Sequence, residues 1–124
     1  MREQRQQAMV RRTKRFALGV IRLYASLSRS TVEQVLGKQV LRSGTSVGAH
    51  YREACRAKSN ADFISKIEGA LQELDETIYW LELLRDSDST KAAVVDPLAS
   101  EANELIAIFV TVSRSVKALP SARS

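Results

Sequence analysis

A chain of 124 residues can bury one core and is short for two domains. With 44% apolar residues, two prolines and five glycines, it excludes a disordered chain and forecasts a few long elements. The net charge of +5 is unevenly spread: residues 1–15 hold six Lys/Arg against one acid, whereas residues 60–124 hold six against eleven.

Such asymmetry favours attraction between the two halves and leaves basic surface for an anionic partner. Arginines at 2, 5, 11, 12 and 15 interrupt any apolar run of signal-peptide kind. No segment approaches the roughly 18 apolar residues of a membrane span. The single cysteine, Cys55, has no partner for an internal disulfide. A cytoplasmic location away from membranes is therefore expected.

The first predicted helix covers about 4–28, where Met9, Thr13, Phe16, Val20, Leu23 and Leu27 recur at spacings of four and three. Ser30 with Glu33 forms a capping-box signature, so the second helix is expected over 31–57 through Val32, Leu36, Val40, Val47, Tyr51 and Ala54. Ser59 with Asp62 signals a third helix over 60–85, which carries Phe63, Ile67, Ala70, Leu74, Thr77, Leu81 and Leu84 on one face. After the polar run RDSDSTK, Asp96-Pro97 reads as a cap followed by proline at the first helical position. That places the fourth helix at 97–118, with Leu98, Ala102, Leu105, Phe109, Val112 and Val116 inward and 119–124 as a tail. Four long helices with short joints predict an all-α, up-down-up-down four-helix bundle.

The stretch SGTSVGAHYREA, residues 43–54, puts poor helix formers inside the second helix. Gly44 and Gly48 share a face, beside Ser43 and Val47. Each glycine costs about 1 kcal/mol relative to alanine, and close approach of another helix is the expected compensation. Ser43, Thr45 and Ser46 are expected to bond carbonyls one turn back.

More apolar surface is present than one bundle core uses. Ile106, Ile108 and Val110 flank the fourth helix's stripe, Val10, Ile21 and Tyr24 flank the first, and Tyr79 and Leu83 lie off the third. These positions are expected to form an oligomer interface.

Catalytic patterns are missing. One histidine, His50, excludes the paired Glu-x-x-His of a di-metal bundle, and its spacing from Cys55 suits neither chelation nor nucleophilic catalysis. No glycine-rich phosphate loop occurs. Glu73, Glu76 and Trp80 cluster on the third helix, and ion pairing of the acids with Arg52 or Arg56 is expected, within the subunit or across an interface, with Arg52 and Glu53 facing an adjoining helix. The expectation is a non-enzyme without cofactor or metal.

The basic residues are more informative. Arg11, Arg15, Arg22 and Arg29 recur at 4, 7 and 7, roughly one helix face. Arginine rows suit phosphate backbones. With few aromatics outside core stripes, binding would be weakly sequence-selective. RNA is the expected polymer, and a protein-interaction scaffold is the alternative.

The motifs S-x-x-S-V-G-A-x-Y-R-E-A (Ser43–Ala54), D-F-I-x-K (Asp62–Lys66) and E-T-x-Y-W-L (Glu76–Leu81) resemble a bacterial family of small bundles. Its members are called 23S ribosomal RNA intervening-sequence proteins. The motif positions include Ser43, Gly48, Tyr51, Arg52, Glu53, Glu76 and Trp80, and the chain departs from the family pattern at His50, where Asn is usual, and at Gly69. The resemblance implies a ring-like homo-oligomer of five subunits. It also implies kinship in fold with the accessory protein of diversity-generating retroelements, a basic bundle that works with a reverse transcriptase and nucleic acid. A nucleic-acid-processing protein is thus a further expected partner.

Overall fold

A computed structural model describes residues 2–120. It contains four α-helices: α1 (Arg2–Ser26), α2 (Thr31–Cys55), α3 (Asn60–Asp86) and α4 (Ala92–Lys117). No strand occurs among the described residues. Each helix packs on the next, and α4 returns to α1, where the two meet most sparsely. The result is an all-α four-helix bundle. Of the tail expected over 119–124, residues 121–124 lie outside the described residues.

The caps follow the side-chain chemistry of the joints. Ser30 caps α2 by accepting the Glu33 N–H at 3.3 Å, while the Glu33 carboxylate reaches back to the Ser28 N–H at 2.9 Å and its hydroxyl at 2.7 Å. Ser59 caps α3 through the Asp62 N–H at 3.0 Å. At the end of α3 the Ser89 N–H bonds the Leu84 carbonyl at 3.0 Å, and Asp88 adopts the left-handed conformation with φ 58°. Aspartate tolerates this because its short side chain bonds locally.

The fourth helix starts earlier than expected. Its cap is Lys91, without a side-chain cap bond, and Pro97 lies inside the helix. The Asp-Pro pair imitates a helix start, yet the apolar spacing continues backward to Val95, which is fully buried. Burial of Val95 outweighs the one N–H that proline removes near the helix start. Asp96 instead pairs with Arg85 at 3.3 Å.

The core follows the apolar stripes, with Phe16, Val20, Val47, Ile67, Leu74, Leu81, Leu105 and Phe109 at most 2% exposed. Tyr51 stacks on Phe109, with ring centroids 5.4 Å apart and planes 7° from parallel. Val32 departs from its expected place: it is 53% exposed, because it sits at the first turn of α2, on the rim of the bundle.

The glycines explain how closely the helices approach. A Cβ built on Gly44 would lie 2.7 Å from Val20, and one on Gly48 would lie 3.1 Å from Thr13. Gly37 repeats the arrangement against Tyr24 and Leu27. Together they form one line of close contact between α2 and α1, as expected of Gly44 and Gly48. The neighbouring hydroxyls bond backward: Ser43 to the Gln39 carbonyl at 2.8 Å, Thr45 to Leu41 at 2.7 Å and Ser46 to Arg42 at 2.7 Å. Thr77 Oγ1 also lies 2.7 Å from Ser43 Oγ, a buried polar contact that fixes the register of α3 on α2.

Candidate nucleic-acid interface

Arg11, Arg15 and Arg22 are exposed. At 3.6 residues per turn they share the side of α1 turned away from Phe16 and Val20. None has a carboxylate partner among the described residues. Arg12, one position on, points to α4 instead. It donates to both carboxylate oxygens of Glu101 at 2.7 and 2.8 Å, and this pairing pushes its guanidinium above its ordinary value.

The fourth member of the expected row is displaced. Arg29 is exposed but lies in the α1–α2 connection, because α1 ends at Ser26. There the Ser26 hydroxyl donates to the Leu23 carbonyl at 2.7 Å, and Ser28 donates to Glu33 of the next helix. The serines draw the chain out of the helix before Arg29 can join the row.

The acidic cluster on α3 is partnered by a different arginine from the expected one. Arg42 reaches Glu76 at 2.7 Å and Glu73 at 3.5 Å, and the Glu76 hydrogen bond raises its guanidinium from its ordinary value. Within the chain, Arg52 and Arg56 do not bond these acids. With Ser43 set opposite Thr77, position 52 lies about 13 Å farther along α2. Both arginines instead line a groove between α1 and α2 with Lys14, Thr13 and Gly48. Glu53 stands 3.6 Å from His50 Nδ1, and Glu73 stands 3.8 Å from His50 Nε2.

Trp80 is half-buried against Tyr79, with ring centroids 5.1 Å apart, and its indole N–H is buried without a hydrogen-bond acceptor among the described residues. Burial raises the Tyr51 hydroxyl above its ordinary value, with Cys55 adding to the effect.

The chain's resemblance to known proteins follows this framework. Residues 5–111 match the model of the family described as 23S rRNA-intervening sequence protein. The chain belongs to that family. It is also similar to a crystal structure of a protein with unknown function from the S23 ribosomal protein family of Bacteroides thetaiotaomicron. The two are 36% identical over 88% of this chain and 97% of that one, with a TM-score of 0.82. Among curated proteins, none matches the chain.

Within this family member, His50 of α2 and Gly69 of α3 face each other across the seam between those helices. A Cβ on Gly69 would lie 3.0 Å from the His50 ring, so the larger side chain on α2 rests where α3 has none. Among the described residues no group of His, Cys, Asp and Glu is arranged to hold a metal ion. No described helix is long and apolar enough to cross a membrane.

The expected interface positions divide. Ile21 and Tyr79 are exposed, at 44% and 53%. Val10, Ile106 and Ile108 are half-buried against the bundle's own core, whereas Tyr24, over Gly37, and Leu83 and Val110 are half-buried on its flanks. Part of the apolar surplus is therefore used inside the bundle. Sequence reasoning missed Lys14 and Arg42 because their neighbours depend on helix register, that of α2 on α1 at Gly44 and Gly48 for Lys14 and that of α3 on α2 at Ser43 and Thr77 for Arg42.

Proposed function

We propose that this family member is a non-enzymatic, oligomeric nucleic-acid-binding protein of the cytoplasm, acting on RNA or as accessory to a nucleic-acid-processing protein. The observation that carries the reading is the row Arg11, Arg15 and Arg22, exposed on α1 while the neighbouring Arg12 is consumed by Glu101. Unpaired arginines on one helix side present fork-shaped donors to successive phosphates, and the absence of an aromatic platform beside them favours backbone contacts over base reading.

Assembly deepens this. A ring of five subunits, built through Ile21, Tyr79 and the half-buried residues beside them, repeats the row around an axis and makes weak phosphate contacts multivalent.

A protein-interaction scaffold is the second reading, favoured by the exposed Val32, Val35 and Tyr79. Fluorescence anisotropy with labelled RNA at low and moderate salt separates the two. The nucleic-acid reading expects binding that weakens steeply with salt, and the scaffold reading expects none even at low salt.

A further inference from the structure

The groove between α1 and α2, of about 720 Å³, has a floor of short side chains and a basic rim. Thr13, Gly48 and Ala49 belong to the floor, where Gly48 lets α2 settle against Thr13. Lys14 of α1, Arg52 of α2 and Arg56 at the C-cap of α2 stand around it, and Lys66 of α3 reaches it across α2. Two carboxylates also line it, and each has a partner nearby: Asp62 lies 3.7 Å from the Lys66 ammonium, and Glu53 lies 3.6 Å from the His50 ring. Lys14, Arg52 and Arg56 have no carboxylate partner among the described residues.

That contrast decides the kind of occupant. The chain pairs Arg12, Arg42, Arg85 and Lys117 with its own acids across helix seams. It leaves three cations of one groove unspent. An acidic protein helix would leave backbone and apolar groups against a mostly polar rim, whereas a phosphodiester strand brings one charge per residue and needs little apolar cover. Arg52 and Arg56, four residues apart and the second at the C-cap, present their stems about 6 Å apart along the axis of α2, which suits neighbouring phosphates on an extended strand. No aromatic ring lines the groove, so bases have nothing to stack on.

We infer that the α1–α2 groove seats the phosphate backbone of a nucleic-acid strand between Lys14, Arg52 and Arg56, without reading its bases. The assignment rests on the nucleic-acid reading proposed above and adds a second contact surface to the arginine row of α1.

The test compares the full chain with the variant Arg52→Gln/Arg56→Gln and with Lys14→Gln, using labelled single-stranded homopolymer and mixed-sequence RNA across a salt series. All three side chains are exposed, so the variants are expected to fold, which far-ultraviolet circular dichroism checks. The double variant is expected to bind roughly tenfold more weakly, with a log–log salt slope shallower by about 1.4 for two lost phosphate contacts. Homopolymers and mixed sequence should be affected alike. If the wild type binds RNA and the groove variants keep its affinity and slope, the groove assignment is overturned while the nucleic-acid reading stands. A change in assembly size with unaltered RNA binding overturns it too, by making the groove a subunit contact. Failure of the wild type to bind at low salt overturns the nucleic-acid reading itself.

Discussion

His50 and Gly69 form a pair whose members make sense only together. The imidazole rests on α3 where a methyl group would meet it at 3.0 Å, and its ring nitrogens stand between Glu53 and Glu73. Alanine favours helix over glycine by about 1 kcal/mol, so Gly69 is retained at a local cost that the packing of His50 offsets. We predict that Gly69→Ala alone stabilises by less than this amount or destabilises, whereas the same change beside His50→Asn recovers the full helix gain. A thermodynamic cycle from urea denaturation measures the coupling; strictly additive changes would sever the pair. Gly44 is a harder case. Its Cβ position is filled by Val20, so Gly44→Leu should destabilise by about 1–3 kcal/mol through overpacking, read as a lower thermal midpoint. An unchanged midpoint would mean that the helices separate easily there.

At the level of helices, most of the architecture was legible from apolar spacing, because a stripe at three and four residues has only one way to be buried. The caps at Ser30 and Ser59 were equally legible, since a hydroxyl three residues before an acid acts locally. What escaped was non-local. Asp96-Pro97 carries the right chemistry for a helix start, and only the burial of Val95 against the other helices shows that α4 begins at Ala92. Likewise, sequence placed an arginine of α2 on the acids of α3, but choosing Arg42 over Arg52 requires the register that the Ser43–Thr77 contact sets. The α1–α2 joint yields a pH prediction. Hydrogen bonds from the Ser28 hydroxyl and N–H hold the Glu33 carboxyl below its usual range. A carboxyl lowered on folding stabilises the fold at pH values above its unfolded pKa, and the contribution is lost as pH falls through the lowered folded value. The thermal midpoint of wild type should therefore fall further than that of Glu33→Gln as the solution is acidified through and below the ordinary glutamate range. Parallel acid profiles would show that the Glu33 bonds do not persist in solution.

On the scale of the whole molecule, the bundle spends its acids on closing itself and keeps arginines outside. The sparsest seam, between α1 and α4, is crossed by the two-pronged Arg12–Glu101 bond, and Gly19 sits against Leu98 there. The outer side of α1 and the α1–α2 groove are left basic, and Leu18 and Ile21 on α1 are 41% and 44% exposed. Light scattering after size exclusion should give five times the 13.8 kDa of one chain; a single-chain mass at micromolar concentration would remove the multivalent part of the proposal. In the proposed function, phosphate contacts on this basic surface hold RNA. The measurement closest to it is the affinity of the full chain for a single-stranded RNA from about 50 to 200 mM salt. Engagement of three or more phosphates predicts a log–log slope of about −2 or steeper, and a slope near zero, or no binding at the lowest salt, would contradict it.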